Sequence, residues 1–164
     1  MNSLDLGIIG NCTISALINK QGDVVWGCFP RFDGDPVFNK LLNNGDNETG
    51  VSEVELDELE KVEQSYIENT AVLVTRLTDK YGDGVEITDF APRFQQFGRI
   101  FRPTTLVRII RPFGETPRIR IRVRPTFEYG ARKPNVTRGS NHIRYVDSDT
   151  SLRLSTNAPL TYIR

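Results

Sequence analysis

Arg118-Ile-Arg-Ile-Arg-Val-Arg124 alternates a cation with a branched aliphatic residue along its whole length. Successive side chains of an extended strand point to opposite faces. Ile119, Ile121 and Val123 therefore share a face that needs a core, while Arg118, Arg120, Arg122 and Arg124 share the other. Four neighbouring guanidinium groups repel one another unless water, acids or phosphates lie between them. The pattern predicts a strand over residues 118–126 with a wet or neutralised outer face.

Outward from this stretch the chain keeps the same character. Thr13–Asn19 and Val24–Phe29 flank Lys20-Gln-Gly-Asp23, a hairpin signal. Further strands are expected at Val51–Leu56, Val62–Ile67, Ala71–Thr78, Val85–Phe90, Thr104–Pro112, His142–Val146 and Ser151–Ser155. They are rich in β-branched residues and punctuated by Gly, Asp, Asn and Pro, the signature of an antiparallel sandwich. Tyr81-Gly-Asp-Gly84 reads as a tight turn, and Arg132–Ser140 as a polar loop. Glu53–Glu63 reads as a strand entering a charged turn, and Pro159–Arg164 as a further strand. One short helix is expected near residues 36–43. Asp35 would cap it, Pro36 suits its first position, Val37, Phe38, Leu41 and Leu42 would form its apolar face, and Gly45 would close it.

The chain has 164 residues, 38% hydrophobic and 26% charged. That fits one domain able to withdraw roughly 70% of its unfolded surface from water, and it excludes a disordered or collagen-like chain. No apolar run approaches the roughly 20 residues a membrane helix needs, and the N-terminus lacks the basic and apolar regions of an export signal. The expectation is a cytoplasmic globular domain without membrane contact. In that setting Cys12 and Cys28 are both expected to be small core residues, and the sequons at Asn11, Asn47 and Asn135 carry no meaning. One His and two Cys make no tetrahedral zinc site without help from a carboxylate, and neither metal nor cofactor is expected.

The net charge is zero but unevenly placed. Residues 1–68 hold 13 acids against 4 bases, and residues 69–164 hold 8 acids against 17 bases. The simplest arrangement lays the two halves side by side so that they neutralise each other. The alternative, a polyanion-binding face built on Arg118, Arg120, Arg122 and Arg124, would need those cations free.

No nucleophile elbow, P-loop or dinucleotide fingerprint is present, and His142 has no Ser or Cys partner close in sequence. Acid/base work by paired carboxylates needs a defined separation across a cleft, which the spacing of Asp33, Asp35 and Asp89 does not show. No catalytic residue is assigned. The densest segment is Trp26-Gly-Cys-Phe-Pro-Arg-Phe-Asp-Gly-Asp-Pro-Val-Phe38. Flat aromatic faces suit sugar rings, and an Arg with an Asp suits hydroxyls, so Trp26, Arg31 and Asp33 are the candidate substrate-binding or domain-interface residues. The plainer reading makes Trp26, Phe29, Phe32 and Phe38 core residues and has Arg31 bridging Asp33 or Asp35.

Ile9–Trp26 with Pro30-Arg-Phe-Asp33 resembles the opening of bacterial glycoside hydrolase family 15 proteins, the glucoamylases, glucodextranases and trehalases. The likeness continues through Gln64–Thr70, Val85–Pro92, Leu106–Ile110 and Val123–Gly130, with Gly34-Asp-Pro36 departing from the usual Ser-Pro-Ser. The resemblance implies a supersandwich-like N-terminal domain spanning 1–164, cut off before an (α/α)6 barrel that supplies both catalytic glutamates. It implies an isolated chain without activity, partnered by that barrel and through it by an α-glucoside: malto-oligosaccharide, dextran or trehalose. The alternative is an independent carbohydrate-binding module that stacks sugars on Trp26. No nucleic-acid partner is expected, and self-association is left open.

Overall fold

The computed structural model describes residues 5–42 and 49–163. The Arg-Ile alternation forms strand β12 (Ile119–Arg124), which lies antiparallel to β5 (Val51–Leu56) with Arg120 opposite Glu55 and Arg122 opposite Glu53. The acidic and basic halves meet here. Arg120 pairs with Glu55 at 2.9 Å, and Arg122 pairs with both Glu53 and Glu55. Lys40 extends the ladder, lying 3.1 Å from Asp23 and 3.6 Å from Glu53. Opposite charges facing across a strand pair stabilise it, and they occupy two of the four arginines on which a polyanion-binding face would depend.

β12 and β5 edge one sheet, continued by β3 (Val24–Cys28), β2 (Ser15–Ile18) and β1 (Gly7–Gly10), with β4 (Pro36–Phe38) branching from β3. The second sheet runs β11 (Val107–Phe113), β8 (Gly84–Phe90), β7 (Leu73–Asp79), β6 (Leu59–Tyr66). Val54 and Leu56 from the first sheet pack on Leu77, Val85 and Ile87 from the second. A neighbouring cluster joins Ile9, Ile18, Val24 and Phe38 to Leu73 and Phe127. Two antiparallel sheets face to face over one apolar layer make a β-sandwich, as the alternating pattern predicts.

A polar tie crosses this layer. Asp89 on β8 is fully buried and faces Arg108 on β11. The guanidinium grips the carboxylate with two hydrogen bonds of 2.8 and 3.1 Å, then donates to the Ser52 carbonyl of the other sheet and to the Gly22 carbonyl in the turn between β2 and β3. A buried charge must be paired and hydrogen-bonded to be tolerated, and here both partners are. Burial pushes the Asp89 carboxyl up, against the pull of the Arg108 charge.

A third sheet, β13 (Asn135–Arg138), β14 (His142–Val146) and β15 (Ser151–Ser155), packs Ile143 and Tyr145 against Ile163. The Tyr145 hydroxyl donates to the Val123 carbonyl and so fastens this sheet to the first. The remaining pair, β9 (Phe94–Gln96) and β10 (Arg99–Phe101), stands apart as a two-stranded hairpin.

Several expectations need correction. No α-helix forms over the described part of 36–43, residues 36–42. Pro36–Phe38 is a buried strand paired to β3, and Lys40–Leu42 forms a single 3-10 turn. Three consecutive buried positions at 36–38 fit a sheet contact better than one helical face, and Gly45 lies outside the described residues. The loop 132–140 contains strand β13, whose side chains are all exposed. Leu160–Tyr162 is a 3-10 turn where a strand was expected, with Ile163 buried behind it. Both cysteines are free, but only Cys28 is buried; Cys12 is exposed, at φ 71° in the turn after β1. The hairpin at 20–23, the charged turn within 53–63 and the Gly82 turn at φ 90° form as the sequence indicates.

Candidate functional site

The segment from Trp26 to Phe38 leaves β3 through a cis Phe29–Pro30 bond, loops outward, and returns as β4. Phe38 is buried and Phe29 meets it edge-on at 6.4 Å, so these two rings serve the core. Phe32 is 59% exposed and is not core. The Arg31 guanidinium donates from Nε and Nη2 to the two carboxylate oxygens of Asp33, at 2.9 and 2.7 Å. This closed fork holds the Asp33 carboxyl below its ordinary range and raises Arg31. The structure therefore brings Arg31 and Asp33 together in the bridging form. Trp26 stays back in β3, half-buried and opposite Leu17. The Cys28 thiol, two residues on, is pushed up chiefly by burial, against the pull of Trp26, and further by Asp35 and Asp33.

A depression in the surface lies beside this loop. A shallow cleft of about 170 Å³ is lined by Phe29 and Asp35 from the loop, Pro36 and Val37 from β4, Phe127, Glu128 and Arg132, and Asp147–Thr150 from the β14–β15 turn. None of Trp26, Arg31 and Asp33 lines it. Its wall is a strained turn: Glu128, Tyr129 and Gly130 have φ of 50°, 55° and 98° in succession. L side chains disfavour that region, so the turn is held by its surroundings. Phe127 is buried in the core, and its backbone N–H and carbonyl exchange hydrogen bonds with Arg132 at 2.8 and 3.1 Å. Arg132 also forms ion pairs with Glu128 and, at 3.1 Å, with Asp147. Tyr129 is thereby presented beside Asp35, whose negative charge drives the phenol up.

Asn39 supports the turn from below. It is fully buried, donates to the Thr126 hydroxyl at 2.9 Å, and lies 3.3 Å from where a Cβ on Gly130 would stand. Phe127-Glu-Tyr-Gly130 belongs to the stretch that carries the family resemblance, which was the available signal for this site; nothing in the spacing places it opposite Asp35. Aromatic faces and carboxylates fit the cleft to a hydroxyl-rich or cationic surface. Among the described residues no group of His, Cys, Asp and Glu is arranged to hold a metal ion. His142 opens β14 with its ring nitrogen 3.3 Å from Asn141 Oδ1, away from the cleft lining.

Fold and cleft together define the class: an antiparallel β-sandwich domain whose polar cleft is assembled from the loops at one end. The chain belongs to the trehalase-like N-terminal domain family, whose model matches residues 4–159. It is 31% identical over 156 residues to a trehalase of Thermoplasma volcanium and 34% identical over 161 residues to trehalase 1 of Sulfolobus acidocaldarius. A trehalase of Thermoplasma acidophilum is 28% identical over 148 residues. These alignments take in 94%, 97% and 88% of this chain but only 24%, 26% and 24% of the relatives. The chain thus spans about a quarter of the length of the curated relatives it matches. No solved structure matches it. No helix among the described residues is long and apolar enough to cross a membrane.

Proposed function

We propose that residues 1–164 form the non-catalytic N-terminal sandwich of a family 15 α-glucoside hydrolase, and that trehalose is its substrate. The acid and base would then reside in a barrel carried by the same polypeptide, and the sandwich would brace that barrel. One observation carries the reading: the chain aligns almost end to end with relatives named trehalases, yet accounts for only about a quarter of each. The cleft at Asp35, Glu128 and Arg132, with the Arg31–Asp33 loop beside it, is the end that would border the barrel and its sugar. Two free thiols, one of them exposed, suit a reducing cytoplasm.

The test is hydrolysis by two proteins, the 164-residue chain and the complete native polypeptide that contains it. The short chain should release no glucose from trehalose, maltose or dextran, while the complete polypeptide should release glucose from trehalose. Turnover by the 164-residue chain alone would overturn the reading.

A further inference from the structure

The β9–β10 hairpin is the part of the molecule least explained by its own fold. Every residue from Arg93 to Arg102 is exposed, including Phe97 at 89% and Ile100 at 59%. Phe94 and Phe101 stack on each other at 5.6 Å and stay 47% and 39% exposed. Contiguous exposed apolar side chains mark a surface that meets a partner, and an isolated two-stranded hairpin is marginal in water.

This hairpin is nonetheless firmly rooted. The buried Asn11 amide donates to the carbonyls of Pro92 and Pro103, one at each foot, both at 2.9 Å. Its oxygen accepts from the backbone N–H groups of Thr13 and Ile14. The Thr13 carbonyl in turn accepts from the Phe32 N–H, so the hairpin feet and the Arg31–Asp33 loop share one anchored end of the sandwich.

Two features describe what would cover the hairpin. Alternation along the strands sets the stacked Phe94 and Phe101 on one face and Ile100 on the other, with Phe97 at the tip. An arm that is apolar on both faces fits a groove gripping it from two sides rather than a flat surface. Between Asp89 and Glu115 the sequence also has five arginines and no acid. Arg108 is committed to Asp89, whereas Arg99 and Arg102, beside the aromatic pair, have no ion-pair partner among the described residues.

We infer that the β9–β10 hairpin is a docking arm whose seat is an apolar groove rimmed by carboxylates on the catalytic portion of the same polypeptide. The inference rests on the proposed function, since the relatives' additional length supplies the partner.

A thiol placed at the tip reports on it. Phe97→Cys, made with Cys12→Ser to remove the exposed native thiol, is labelled with a thiol reagent in the 164-residue chain and in the complete polypeptide. Seating of the arm should slow labelling in the complete polypeptide by about tenfold or more, as expected where reaction must wait for an opening. Phe97→Ser with Ile100→Ser should leave the melting of the 164-residue chain unchanged and lower that of the complete polypeptide. Equal labelling rates in a longer, trehalose-cleaving polypeptide would overturn the docking arm alone. A native polypeptide that ends near residue 164 would overturn the arm and the proposed function together. Two controls on the 164-residue chain complete the test. Slowed labelling with anionic phospholipid vesicles would reassign the arm to a lipid surface, and slowing with rising protein concentration would reassign it to a second copy of the chain.

Discussion

The β7–β8 and β9–β10 hairpins follow one another in the chain, and each pairs antiparallel strands across a short turn containing a left-handed glycine. The first is strong in every respect the second lacks. β7 alternates buried and partly exposed positions and delivers Leu73, Thr75 and Leu77 to the core, whereas all six strand residues of β9 and β10 are exposed. Asp79 tightens the first turn by accepting hydrogen bonds from the Tyr81 and Asp83 N–H groups. The second turn has only Phe97 and Gly98, both at positive φ as a two-residue hairpin loop requires. The difference shows that strand pairing alone does not indicate what holds a hairpin in place. Burial holds the first, and hydrogen bonds at its base, from the Asn11 amide and from Arg93 to Cys12, hold the second.

The sharpest way to break the contrast is to attack the buried hairpin through its ion pair. Asp89→Ala leaves the Arg108 charge buried without its carboxylate, and chemical denaturation should show a loss of about 3–5 kcal/mol. Leu77→Ala removes apolar contacts between the sheets and should cost about 2–5 kcal/mol by the same measurement. Asn11→Ala should cost about 1–3 kcal/mol because buried backbone groups lose their partner. Its more telling effect would be faster amide exchange in residues 94–101 than in 73–90. The smallest effect is at the Arg31–Asp33 fork, next to the hairpin's root. The Asp33 carboxyl is depressed in the folded state, so the fork's contribution is present above the ordinary carboxylate range. It should be lost as pH falls through the lowered value. Titration of the Asp33 carboxyl by NMR should show that depression, and Arg31→Gln should abolish it with only a slight lowering of the melting temperature at neutral pH.

The same contrast explains what could be read in the sequence. Val85–Phe90 was legible because one of its faces is buried, and burial writes a period of two into the residues. Arg118–Thr126 alternates in sequence although Ile119 stays exposed and Ile121 and Val123 are only partly buried against the core, while Val51–Leu56 is buried at every position but Glu55. The strands β9, β10 and β13 carry no such period because every one of their residues is exposed. β1 is four residues with a glycine at each end, too little for a pattern. At Asp35-Pro36-Val-Phe38 the capping residues fit a helix start and the apolar pair fits either structure; pairing with β3 decided it. For the site, Arg31 and Asp33 were legible as a local pair two residues apart. The cleft opposite was not, because Asp35 meets Tyr129 only through a left-handed turn and a distant strand crossing.

Asn11-Cys-Thr13 has a further consequence for how the protein can be made. Those residues form an acceptor site for N-linked glycans, and the side chain that would carry the sugar is sealed in with both ends of its amide occupied. Oligosaccharide added during synthesis in a glycosylating secretory host would put a bulky wedge where the hairpin is rooted. A bacterial cytosol spares this keystone, and replacing Thr13 by Val would be the change to make before attempting secretion from yeast.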